Sequence, residues 1–477
     1  MRRFFLALCL LTAVLLCAAR AEGTRDSCTM SAVYTEQTQT LSVRYSLLYT
    51  NRSEEPLDSV VFGVYSNCYR RESTLPADNA HLEASFPAGY APAGTEIRSV
   101  RFNAQDAAYA FSGSAEEFMR VQCALAPGET GRFDIDYILL LSPNRTLLGT
   151  GEDVRLSLFY PSVCVYDGEF ITNAPSNAAR FLYAAPADFR LTLYLPDGLE
   201  PALYGLKSDG VFNGYNVYSG RFQSVSELAL TLGRRYYSVS GETALGSAVT
   251  VKGSSRAKIK STLDASVRAL DVLEELFGAL PTGGIHLVYS DTVLSDSFSG
   301  LVLLGDDADD ALLVSLLAKQ YFGCAVVTDP ATDPFLTAGV NEYLSLLYTK
   351  HREGEEAFAR ALRKRIEPAL KITVPGSLTP DSYLSRFATV SDYDAVAAKR
   401  GAAVLHEIAL TMGDDRFTEA LKLYYERGAG RVNTIEDFVA ALDEAAGRAG
   451  GEPSVGNALV AWLYTIDEYS LVDEIYD

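Results

Sequence analysis

Ser315 and Lys319 lie four positions apart in the apolar stretch from Asp309 to Phe322. If that stretch is a helix, the two share a face, because positions four apart stack one turn above another. A hydroxyl beside an amine is a nucleophile beside a base, the pairing of Ser-Lys hydrolysis. Such chemistry also needs donors for an oxyanion, and the sequence shows none around the pair. Ser297 is a second candidate hydroxyl. Paired imidazoles are excluded: of the 4 histidines, His81, His286, His351 and His406, none stands four from another. His406-Glu407 opens a zinc pattern that no second histidine completes, and reads as a partly exposed helix histidine beside a surface glutamate. His286 and His351 take the same reading. Asp306-Asp307 and Asp309-Asp310 lack the spacing of a calcium loop and read as the acidic start of a helix. Lys319 is the odd residue of its stretch; an ammonium there must reach water or a carboxylate.

The elements that position these residues change character along the chain. From 25 to about 240 the period is that of strands. Thr40 to Tyr49 alternates apolar and polar, as does Phe189 to Leu195, which stops at Pro196-Asp197-Gly198. Val60 to Tyr65, Leu228 to Leu232 and Tyr236 to Val239 are further strand candidates. Short strands with Gly, Pro and Asn punctuation predict an antiparallel sandwich or sheet. From about 255 the period becomes helical: Ile259, Leu263, Val267, Leu270, Leu273 and Leu276 recur at threes and fours. Ile285–Tyr289 and Gly300–Leu304 read as two strands, and Asp309–Phe322 as a helix. After 338 all is helical, at roughly 338–349, 354–366, 393–412, 414–427, 434–446 and 454–464.

A chain of 477 residues exceeds a single core and implies two or three domains. The net charge of −20, with no basic block, makes nucleic acid and anionic membranes poor partners. Arg2-Arg3, the apolar run Phe4 to Cys17 and Ala19-Arg20-Ala21 have the form of a signal peptide cleaved after Ala21, so the mature chain is expected to be exported, secreted or at the cell surface. Lipidation at Cys17 fits poorly after Leu15-Leu16. No later segment has the length of a membrane span. Cys28, Cys68, Cys123, Cys164 and Cys324 would remain, as disulfide partners or as buried thiols. The absence of a Cys-x-x-Cys spacing excludes a zinc knuckle. Asn51 and Asn144 head glycosylation sequons.

The stretch Ser315 to Gly323 resembles the helix carrying His-Glu-x-x-His-Gln-Trp-Phe-Gly in the gluzincin zinc aminopeptidases, the family of aminopeptidase N. Its tail, Gln320-Tyr321-Phe322-Gly323, is nearly intact. Further resemblances follow in order: Phe159-Tyr160-Pro161 with Tyr166-Asp167, Ala187 to Leu193, Leu270 to Leu280, Gly401 to His406, Met412 to Phe417, Thr434 to Phe438 and Ala461-Trp462-Leu463. The resemblance implies an α+β multidomain chain. An N-terminal antiparallel β saddle or sandwich domain (22–240, after a signal peptide at 1–21) is followed by a degenerate thermolysin-like, mostly helical peptidase domain (241–477). The family's further C-terminal domains would be absent.

The same resemblance implies that the chemistry is gone. Ser315 and Lys319 stand at the two histidine positions, and Ala338 at the third zinc ligand. Leu316 replaces the general base, Ser297 the amine-anchoring glutamate, and Ala398 the oxyanion tyrosine. Tyr393 matches another family tyrosine. Zinc is therefore expected to be absent, and the chain to be a non-catalytic relative able to bind a peptide or protein. An active hydrolase with a rebuilt site, or a purely structural role for the β domain, are the alternatives. Glu342 lies one helical turn beyond Ala338, so Lys319 and Glu342 are expected to face each other across the former metal site, with Tyr343 and Tyr393 in the residual cleft. Exposure of Lys319 to solvent is the other outcome.

Overall fold

The computed structural model describes residues 25–76, 81–234, 236–374, 376–447 and 454–464. The signal-peptide expectation lies outside them.

Alternation builds the N-terminal half. In Thr40–Thr50 every second residue, Leu41, Val43, Tyr45, Leu47 and Tyr49, is buried. This strand lies within an eight-stranded sheet with the order Lys207–Phe212, Tyr215–Val225, Ala187–Leu195, Ser27–Thr35, Thr40–Thr50, Thr130–Leu140, Gly94–Phe102 and Gln105–Asp106. All neighbours are antiparallel except Ser27–Thr35 with Ala187–Leu195, which run parallel. Two four-stranded sheets share its core, one containing Leu57–Gly63 and Phe118–Leu125, the other Val154–Leu156 and Leu230–Gly233. The expected β domain is thus present, with one parallel pairing that alternation alone does not encode.

The second half starts earlier than the pattern implied. Tyr237–Glu242, grouped above with the N-terminal strands, pairs with Ala248–Gly253 in a five-stranded mixed sheet. Gly284–Tyr289, Leu301–Leu304 and Asp296–Phe298 complete that sheet. Helix Arg256–Phe277 follows the expected register. Helices Pro334–Glu353, Gly401–Met412, Asp414–Gly428, Ile435–Ala445 and Val455–Tyr464 match the expected positions. The first begins at a proline, which has no amide hydrogen to lose there. Two departures are local. Arg431–Asn433 is a short strand parallel to Val326–Thr328, and Leu362–Ile366 and Asp394–Arg400 are wound as π-helix. Among the described residues no helix is long and apolar enough to cross a membrane.

The two halves meet through polar contacts that fix the approach to the site. Arg145 pairs with Asp291 at 2.7 Å and with Asp306 at 2.8 Å. Arg155, fully buried, pairs with Asp153 at 2.6 Å, and Asp153 also accepts the Ser290 hydroxyl at 2.6 Å. Both sequon asparagines are buried and spent on backbone carbonyls: Asn51 donates to Glu55 and Leu125, Asn144 to Ser142 and Leu148. The folded chain offers neither amide to a glycosyl donor. The five described cysteines are free thiols, and burial pushes those of Cys28, Cys68 and Cys164 upward.

Helix Pro334–Glu353 crosses the segment 397–401 at Gly339 and Gly401. A β-carbon on Gly339 would stand 3.1 Å from the Ala397 carbonyl oxygen and from the Gly401 Cα. Gly339→Ala is therefore expected to destabilise the fold by about 1–3 kcal/mol through overpacking. Urea unfolding reads this as a lower midpoint at unchanged slope; an unaltered midpoint would mean the crossing is loose.

Candidate functional site

The helix Asp310–Ala318 is started by Asp309, whose side chain accepts the Leu312 amide at 2.8 Å. The acidic cluster is thus a helix start, as read. The helix stops four residues short of the expected end at Phe322. Lys319 is its C-cap, and Gly323 turns the chain away at φ +134°. The intact tail then has a structural job. Gln320 Oε1 accepts the Gly300 amide at 3.0 Å, while its Nε2 donates to Ser297 Oγ at 2.7 Å and to the Phe298 carbonyl at 2.8 Å. Gln320 thereby pins the strand Asp296–Phe298 against the helix end. Tyr321 donates to the Gly278 carbonyl, and Phe322 stacks on Tyr424 with centroids 6.0 Å apart.

Lys319 does not face Glu342. Its Nζ pairs with Asp296 Oδ1, and the lysine side chain is 17% exposed. Glu342 pairs with Arg365 at 2.6 Å. Glu342 shares a helix face with Ala338 but sits a turn further along the axis, where Arg365 holds its carboxylate. Lys319, at a helix end, swings toward the strand instead. Exposure to solvent, the other outcome, is not realised either.

Asp296 is the hub. Besides Lys319 it has Arg180 Nη1 at 3.8 Å from Oδ2, and it accepts the Ser297 amide at 2.7 Å. Burial alone would raise its carboxyl; the Lys319 and Arg180 charges outweigh that and hold it below the usual carboxylate range. Arg180 also pairs with Glu227, donates to the Ser297 carbonyl at 2.9 Å, and lies 4.6 Å over the Phe298 ring. The result is an alternating chain, Lys319⁺–Asp296⁻–Arg180⁺–Glu227⁻, of zero net charge.

The other sequence candidates distribute around it. Ser297 is fully buried and bound to Gln320. Ser315 is half-buried on the helix, and Leu316 belongs to the hydrophobic core. Ala338 is half-buried against the N-terminal core, and Ala398 half-buried in the π-helical segment. Tyr393 comes to the hub: burial first, then the Asp296 charge, pushes its phenol upward. Tyr343 leaves the cleft, because its ring is buried against Phe417 at 5.4 Å and His406 at 6.1 Å.

His406 corrects the surface reading. It is buried between Tyr343 and Phe358, and burial followed by the Lys350 charge pushes it down to about 4. His286, half-buried and beside Tyr204, is likewise pushed down to about 4 by burial and then Lys252. Neither Nδ1 has a hydrogen-bond partner among the described residues. His351 is exposed as read, 3.4 Å from Glu275.

Sequence reasoning passed over Asp296, Arg180 and Glu227. A signal existed for Glu227, a lone acid heading the apolar run Leu228 to Leu232. Arg180 carried none.

The chain has the two-domain fold of the M1 zinc metallopeptidases. It superposes on the M1 zinc metallopeptidase of Deinococcus radiodurans with a TM-score of 0.64 at 18% identity, covering 93% of this chain and 94% of that one. A mutant of that organism's M1 metallopeptidase bound to a Tyr-Ser-Ala substrate matches with the same score, identity and coverage. In sequence the chain is similar to Aminopeptidase M1-D of Oryza sativa subsp. japonica, with 25% identity over an alignment of 385 residues that covers 71% of this chain. The chain spans 43% of that relative's length. No protein-family model matches. The expected aminopeptidase-type fold therefore stands.

That fold implies zinc, and the residues here do not fit it. Zinc takes thiolate, imidazole or carboxylate donors. The helix offers a hydroxyl and an ammonium, Ala338 offers nothing, and the nearby carboxylate of Asp296 is already neutralised by Lys319 and Arg180. Among the described residues no group of three or more His, Cys, Asp or Glu side chains is placed to hold a metal ion.

Two outcomes follow. Lys319→Ala leaves Asp296 without its nearest cation and is expected to cost about 3–5 kcal/mol. Ser315→Ala should stay within about 0.5 kcal/mol; equal effects in denaturant titrations would remove the hub from the account. The histidines set a pH dependence. Their folded values lie below the unfolded 6.5, so the unfolded chain binds more protons between about pH 4 and 6.5. Stability is full above that window and falls on acidification by up to about 1.4 kcal/mol per pH unit for each histidine. A His286→Gln/His406→Gln double variant should flatten the slope; an identical slope would contradict the assignment.

Proposed function

We propose that this chain is an exported protein of the aminopeptidase fold that carries no zinc, does not hydrolyse peptides, and acts by binding a peptide or protein. The observation that carries the reading is the Lys319–Asp296 pair: at the site the fold reserves for a metal, the helix presents its own cation to a buried carboxylate. A fixed ammonium repels a second cation in a weakly screened interior. The six replaced positions, Ser297, Ser315, Leu316, Lys319, Ala338 and Ala398, agree with it, since zinc-activated water needs ligands, an open coordination place and a base.

Nothing favours the Ser-Lys alternative. The Lys319 side chain is engaged by the Asp296 carboxylate, and among the described residues no contact joins it to the Ser315 hydroxyl it would have to activate. Export rests on the form of the first 21 residues, and a binding role rests on the likeness to relatives of which one is recorded with Tyr-Ser-Ala bound.

Metal analysis of the purified full chain, run beside a panel of aminoacyl and peptide substrates, tests the proposal. The expected result is substoichiometric zinc and no turnover that chelators abolish. One zinc per chain, removed together with activity by a chelator, would overturn it.

A further inference from the structure

Asp296 and Glu227 sit on fixed parts of the fold. Asp296 opens a strand that Gln320 holds by contacts at Ser297, Phe298 and Gly300. Glu227 precedes Leu228, whose amide is held by the Tyr160 hydroxyl at 3.0 Å, and leads into the strand Leu230–Gly233. Their side chains are only 11% and 2% exposed. Arg180 differs. It lies between the strands Glu169–Phe170 and Ala187–Leu195, in a stretch with neither helix nor strand, and its side chain is 23% exposed. Two buried carboxylates on a rigid frame are thus neutralised on one side by Lys319 and on the other by a cation carried on an irregular loop.

The contacts of that cation describe a binding site. The guanidinium meets the Glu227 carboxylate, the second oxygen of Asp296 at 3.8 Å, the Ser297 carbonyl at 2.9 Å and the face of Phe298 at 4.6 Å. Anionic acceptors in a fork, a carbonyl and an aromatic floor are what a planar organic cation needs. Among the described residues, Glu227 has no ion-pair partner except Arg180. Without it, a nearly fully buried carboxylate is left to find another cation.

We propose that Glu227, Asp296 and Phe298 form a subsite for a guanidinium group, and that the chain's own Arg180 fills it as a displaceable plug. The inference rests on the reading that this position carries no metal. It also deepens it: a ligand would engage the site by presenting a guanidinium, as an arginine side chain does, and by displacing the loop that bears Arg180.

Chemical rescue of the full chain tests this. Arg180→Ala is melted with and without about 20 mM guanidinium chloride, against equal sodium chloride, and with methylammonium as the smaller cation. The expected result is a guanidinium-specific rise in melting temperature of about 2 °C, smaller with methylammonium, with no rise in the unsubstituted chain. Adding Glu227→Gln to Arg180→Ala should abolish the rise. Arg180→Gln, which keeps the bulk of the side chain, is read the same way if Arg180→Ala does not fold. A folded variant with no guanidinium-specific gain, or an equal gain in the unsubstituted chain, overturns the subsite. Zinc content of the same samples separates the two failures: bound zinc sinks the underlying reading, whereas zinc-free protein without rescue sinks only the plug.

Discussion

The ammonium of Lys319 against the carboxylate of Asp296 is the contact on which the rest of the site turns. A buried charge is tolerated only with a partner, and here each charge has one or two. Lys319 answers Asp296, Asp296 answers Arg180 as well, and Arg180 answers Glu227. The chain is neutral in sum. The four side chains balance one another's charge without any further ion.

The scaffold's remaining motif residues make sense on the same terms. Gln320, Tyr321 and Phe322 bond or stack with the strand at Asp296–Phe298, the end of helix Arg256–Phe277 and Tyr424. None needs a metal. They hold the helix end and the short strand in register, and that register is what lets Lys319 find Asp296. The N-terminal half contributes directly, since Arg180 and Glu227 both come from it, while Arg145 and Asp153 fasten the loop that leads to Asp296. The site is therefore a joint product of two layers that alternation and helical period specify separately.

Much of this was legible in the sequence. The strand Thr40–Thr50 and the helices after 400 follow from period alone, because one apolar face per element determines where it must lie. The position of Lys319 was legible too, as a charge on an apolar helix. Its partner was not. Register along one helix suggested Glu342, but the contact runs to a three-residue strand 23 positions away, and local spacing does not encode tertiary reach. Asp296–Phe298 is too short and too polar for any periodic signal. His406 was misjudged for a related reason: Glu407 beside it suggested a surface, whereas the aromatic rings that bury it come from Tyr343 and Phe358, far off in sequence. The π-helical segment Asp394–Arg400 likewise has no local pattern that separates it from an α-helix.

A double-mutant cycle tests the central claim most directly. Lys319→Ala, Asp296→Ala and the double variant are unfolded in urea at neutral pH, and the coupling free energy is taken from the four stabilities. The account predicts that the double variant is more stable than the sum of the single losses implies, by about 2 kcal/mol or more. Additivity within about 0.5 kcal/mol would contradict it, because two groups that do not feel each other cannot be the contact on which the site turns.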